Sequence, residues 1–163
     1  GLLIGASVGA GFAAFESAGY ALQPVLAFFQ NSGYYAAYGR HLDMSIMLDA
    51  INQSVFIRGF LAPGGHVTWA AISGAGMVIA AKALRRLDTT VLTDMHFIRL
   101  FAIPVVLHAI WDSPLANIGL RILLVPLTLT AIVWIVVLIL INMGLSEVER
   151  AERAYIKRHM SLP

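Results

Sequence analysis

Four ionisable residues occupy apolar surroundings where each needs a partner or a task. Glu16 is the only charged residue of residues 1–29, set in GFAAFESAGY (11–20). His66 follows PGG and opens an apolar run, HVTWAAISGAG (66–76). His108 and Asp112 share HAIWD (108–112). A charge at mid-bilayer costs a few kcal/mol on insertion scales, so such residues face protein and carry function or a partner. His66 at a helix start is expected neutral, the form a metal ligand or general base requires. Spacing i, i+4 puts His108 and Asp112 on one helical face, where both can ligate a metal or Asp112 can orient the imidazole. One Glu, two His and one Asp from three separate spans can hold Zn²⁺ or activate water directly. Taken singly, each also has a plainer reading: a protonated interhelical glutamate bonded to Tyr20, an interfacial histidine, a self-satisfied His–Asp pair.

These residues need helices to position them, and composition says which kind. Of 163 residues, 59% are hydrophobic and only 12% charged, about half the charge of a soluble domain. The expected fold is all-α: a polytopic transmembrane bundle with four clear spans plus one short polar or re-entrant helix. Residues 1–29 read as the first span, in which Gly1, Gly5, Gly9, Phe12, Glu16 and Tyr20 share a face. Glycines at spacing four admit a second backbone closely, so the face carrying Glu16 should point into protein. Residues 30–43 read as an interfacial loop, with Tyr34, Tyr35 and Tyr38 at headgroup level. Residues 44–61 are short and polar, and APGG (62–65) breaks them. Residues 66–84, 97–112 and 119–143 are the other spans, the last the most uniformly apolar. Pro104 should kink the third. Residues 1–143 thus form the bundle and 144–163 a charged, surface-lying tail. Trp69 and Trp111 suit interface belts, and Trp134 a lipid-facing position.

Lys82, Arg85 and Arg86 end one span, and Arg150, Arg153, Lys157 and Arg158 lie two crossings later. Both clusters read as cytoplasmic, which puts His66 and the 112–118 turn near the outer face. The partners expected are the lipid bilayer and a membrane-bound protein or peptide, with no nucleic acid. Cysteine is absent, which removes disulfides and thiolate metal sites. No HExxH, GxSG or GxGD motif, P-loop or dinucleotide fingerprint is present. The chain opens at Gly1 inside an apolar run without a basic n-region, as a fragment or processed product would.

Three stretches resemble the PrsW family of membrane-embedded proteases, relatives of the CAAX- and bacteriocin-processing proteases. GAGFAAFESAGY (9–20) resembles the family's GxGFAxxEnxxY, aligning Glu16. RGFLAPGGHVTWAAISGAG (58–76) aligns Arg58 and His66, and LHAIWDS (107–113) aligns His108, with Asp112 where asparagine is common. The family's EExxK motif, expected upstream, is not in this chain. The resemblance implies peptide-bond hydrolysis in the plasma membrane, such as site-1 cleavage of an anti-sigma factor, at a site toward the outer face. Glu16, His66, His108 and Asp112 would be catalytic, Arg58 and Tyr20 would bind substrate or support the site, Arg58 by anchoring substrate or positioning the loop, and Glu16, His66 and His108 would ligate Zn²⁺ if a metal is used. Two rival readings keep the same residues: a non-catalytic scaffold of the same fold, and a proton-coupled carrier using Glu16, His66 and His108 as a relay.

Overall fold

The computed structural model describes residues 1–39, 43–114 and 121–160, with the backbone alone for 121–123. The described residues are all-helical. Five α-helices follow in order: α1 (Leu2–Ala37), α2 (Met44–Leu61), α3 (His66–Leu84), α4 (Met95–Trp111) and α5 (Arg121–Met160). A 3₁₀ turn, Ala62–Gly64, joins α2 to α3, and another, Thr89–Thr93, leads into α4.

The centre of the bundle is α3, which packs against α1, α4 and α5. Its contact with α1 is backbone to backbone. A Cβ on Gly1 would fall against Gly74, one on Gly5 against Ala70 and Ala71, and one on Gly9 against the His66 carbonyl. The matched steps of four show that the two helices run antiparallel and that small residues let them touch. Beyond Gly9 the partner of α1 changes: Arg58 of α2 meets Glu16, and Asp43, which caps α2, and its first turns to Ala50 lie beside residues 24–35 of α1. The stretch 44–84 is therefore one antiparallel course along α1, broken at the 3₁₀ turn, and α2 is not a separate return crossing.

A core of Trp69, Ile72, Leu107, Leu129, Val133 and Val137 joins α3, α4 and α5, with Ile72 and Val133 fully buried. Elsewhere large apolar side chains face outward: Leu3 and Phe15 are each 84% exposed. A continuous apolar exterior of this kind belongs in lipid. Three helical stretches among the described residues are long and apolar enough to cross a membrane: Leu2–Ala37, Met44–Leu84 counted through the turn, and Leu124–Met160. The fourth expected span, α4, is apolar but only 17 residues long, about 26 Å at helical rise.

Two local expectations are corrected. The interfacial loop over 30–43 is helical as far as Ala37, because Asn31 and Ser32 fold their side chains back onto the carbonyls of Ala27 and Phe29. The helix closes only at Gly39, whose φ of +67° glycine adopts without strain. Trp69 lies in the core, 7% exposed, not in an interface belt. Residues 115–118 of the expected outer turn lie outside the described residues. Helix α5 runs unbroken across the boundary at 143/144, and Lys82 at the end of α3 pairs with Glu147 of α5. The two basic clusters thus sit at one end of the bundle.

Asp94 caps α4 by accepting the His96 backbone N–H at 2.8 Å. That bond holds its carboxyl below the ordinary value of 3.8. A depressed folded-state value means the cap's stability is present above 3.8 and is lost as pH falls through the folded value. Thermal unfolding in micelles is expected to show this loss on acidification. Asp94→Asn, which still accepts a hydrogen bond but does not ionise, should flatten that part of the profile.

Candidate active site

The functional groups meet where α1, α2, α3 and α4 converge, around a cavity of about 290 Å³. Its lining includes Glu16, Arg58, His66, Trp69, His108 and Asp112. Glu16 comes from α1, about two turns past Gly9, the last of the glycines that hold α1 against α3. His66 is the first residue of α3, delivered by the Pro63–Gly64–Gly65 turn. Gly64 is required there because a Cβ would run into the Thr130 side chain of α5.

Glu16 Oε2 lies 2.7 Å from His66 Nε2 and 2.6 Å from Arg58 Nη2. The oxygen is buried, and neither N–H is aligned with it as a hydrogen bond. The contacts are therefore close polar contacts without hydrogen-bond alignment. Arg58 is fixed from three sides by one turn of α1. Its Nε lies 3.4 Å from Ser17 Oγ and its guanidinium carbon 3.9 Å above the Tyr20 ring. A planar cation stacked on an aromatic face and paired with a carboxylate is a geometry lysine does not reproduce. Tyr20 thus supports Arg58, and the bond to Glu16 considered from sequence is not formed.

His108 faces His66 across the cavity, with ring centroids 5.6 Å apart. Trp69 packs edge-on against both, 5.1 Å from the His66 ring and 4.8 Å from the His108 ring, so the three rings form a near-equilateral cluster. Phe12 closes the other side of His66 at 4.8 Å. Asp112 is looser: its Oδ2 is 3.5 Å from His108 Nε2 and its side chain is 66% exposed. At that distance the carboxylate does not lock the imidazole. Sequence reasoning brought Glu16, His66, Arg58 and His108 into consideration, and the structure gathers all four. It missed Trp69 as the ring that packs edge-on against both imidazoles. The available signal was its position three residues after His66, on the same face of α3.

The donor types suit zinc. The arrangement does not: among the described residues no three His, Asp or Glu side chains form a metal-holding group. Arg58 occupies the Glu16 oxygen that would face a cation, and His108 stands apart from the Glu16–His66 pair. The geometry instead offers a carboxylate and an imidazole in direct contact, a second imidazole opposite, and apolar walls. That set handles protons beside a polarised carbonyl.

No curated protein and no solved structure matches the chain. The family described as PrsW family intramembrane metalloprotease matches residues 1–141. That match covers most of the 163 residues and every group around the cavity, and the chain belongs to this family of membrane-embedded proteases.

Proposed function

We propose that Glu16 and His66 activate water for endoproteolysis of a membrane-associated protein. The carrying observation is the 2.7 Å contact between Glu16 Oε2 and His66 Nε2 at a cavity inside the helix bundle. With Oε2 held by Arg58 and His66, Oε1 is the oxygen left to take a proton. Water adds to the scissile carbonyl carbon and gives its proton to Glu16. The carbonyl electron pair moves onto oxygen, where His108 donates a hydrogen bond. Collapse restores the carbonyl and breaks the C–N bond, and the departing amine takes the proton through Glu16 or His66. Arg58, carried by Tyr20, fixes the carboxylate through this sequence, and Asp112 supports His108 at the cavity mouth.

The substrate class we favour is a membrane-bound regulator cut near the outer face of the plasma membrane, as in site-1 processing of an anti-sigma factor. The basic ends of α3 and α5 support a cytoplasmic position for them and for a tail over 144–163. The cavity, at the other end of α3, would then open toward the outer face. The test is hydrolysis by the purified full-length protein in micelles. A peptide with an apolar membrane-spanning segment should be cut, with one ¹⁸O from labelled water in the new carboxyl terminus. Intact peptide after prolonged incubation with folded protein would sink the proposal.

A Zn²⁺ ion on Glu16, His66 and His108 is the second reading, supported by the family's description as metalloproteases. It requires Arg58 to leave Oε2. Elemental analysis of the same preparation separates the readings: stoichiometric zinc that is lost in Glu16→Gln favours the metal.

A further inference from the structure

Resting on the proteolytic reading, we propose that the substrate's membrane-spanning segment docks from the lipid into the groove between α1 and α4. Both helices pack on α3, yet they form no packing interface with each other. Between them is a cavity of about 560 Å³. Its walls are Val8 and Phe12 of α1 and Phe101 and Val105 of α4, and its floor is Ala70 and Ser73 of α3. The four wall residues are between 44% and 65% exposed, so nothing among the described residues covers them. The small floor residues let an incoming helix backbone approach closely. Seven residues separate His66 from Ser73, about 10 Å or two helical turns of docking length.

Continuity with the candidate site identifies the occupant. His66, Trp69 and His108 line both this groove and the cavity that holds Glu16. A segment lying in the groove therefore runs into the two imidazoles at one end. A second groove, between α1 and α2, has Ala10, Ala14, Val55 and Gly59 in its lining and includes no histidine. It shares only Ala13, Ser17 and Ala62 with the site cavity, so a segment seated there approaches the side of Glu16 away from the imidazoles. The groove between α1 and α4 is apolar along its length and polar only at the imidazole end and at Ser73. That pattern suits an apolar helix whose last turn unwinds at the site to present a peptide bond.

Photo-crosslinking tests the route without requiring turnover. Benzoylphenylalanine is placed at Val8, Val105 or Val55 of the full-length protein in micelles. The probe is a biotinylated peptide of leucine and alanine with polar ends, long enough to span a bilayer. Adducts competed by excess unlabelled peptide are expected at positions 8 and 105 and not at 55. Ala109→Trp, which narrows the groove beside His108, should lower adduct yield and kcat/KM for this peptide by at least about tenfold, the scale on which a filled apolar pocket discriminates. Adducts confined to position 55, equal at all three, absent, or formed only with detergent or a second copy of the chain overturn the groove. Hydrolysis with adducts only at 55 leaves the protease standing and sinks the route. Specific adducts at 8 and 105 without hydrolysis do the reverse.

Discussion

Glu16→Gln is expected to lower hydrolysis of a membrane-spanning peptide by about a hundred- to ten-thousand-fold, the usual contribution of a positioned general base. Glutamine has the shape of glutamate and keeps a carbonyl oxygen that Arg58 and His66 can contact. It accepts no proton from water. The fold should therefore persist while the chemistry stops, and the measurement pairs product formation with thermal unfolding in the same micelles. Arg58 loses its counter-charge in this variant, but its side chain is 26% exposed and stays stacked on Tyr20. Water and the ring take up most of that loss, so unfolding should move only slightly. Hydrolysis within a few-fold of wild type, by protein that unfolds normally, would remove Glu16 from the reaction. The pH profile adds a second readout: a lost base removes the limb on which the rate rises with pH.

The features that were legible in the sequence are those with a high cost of placement. A lone carboxylate in residues 1–29 had to face protein, and the glycine spacing said which face. The structure pairs that face with α3 through Gly1, Gly5 and Gly9. His66 and His108 were legible because apolar runs carry imidazoles at an energetic penalty, so their convergence was a constrained guess. The role of Arg58 stayed open between anchoring substrate and positioning the loop because its partner lies 42 positions away, and the sequence left the path of α2 open. Once α2 is seen to continue the line of α3 along α1, the Glu16–Arg58 contact follows from antiparallel register.

Other features turn on local choices that sequence pattern weighs poorly. Asn31, Ser32 and Gly33 carry loop propensity, yet the Asn31 and Ser32 side chains both bond carbonyls within their own helix, and α1 continues to Ala37. Trp69 carries the same ambiguity. A tryptophan near a span end suits the headgroup region, but here its ring packs edge-on against two imidazoles and its indole N–H is buried without an acceptor. A buried donor without a partner is a cost the fold bears where this ring packs against His66 and His108.

Two glycine-to-alanine substitutions on α1 should have opposite results, and the contrast tests how the site is held. At Gly5 the added Cβ would fall on the Ala70 carbonyl oxygen and within 2.9 Å of the Ala71 Cα. Both are backbone atoms of α3, so no rotamer relieves the clash and the helices must separate. Overpacking of this kind costs about 1–3 kcal/mol or more. Gly5 is eleven residues from Glu16, about 16 Å along the helix, and touches no reacting group. Yet α1 is what sets Glu16 against His66, whose partner α3 starts at that contact. A shift of about 1 Å at a positioned base can cost about a hundredfold in rate. Gly5→Ala is therefore expected to lower the unfolding temperature and the hydrolysis rate together. At Gly11 a Cβ meets nothing within 4 Å, and replacing a helical glycine by alanine favours the helix by about 1 kcal/mol. Gly11→Ala should unfold no lower than wild type and cut at the wild-type rate. Equal behaviour of the two variants would mean that close backbone contact between α1 and α3 does not hold the site together. The glutamate–histidine pair would then need another source of register, and the α2 side, through Arg58, would be the remaining candidate.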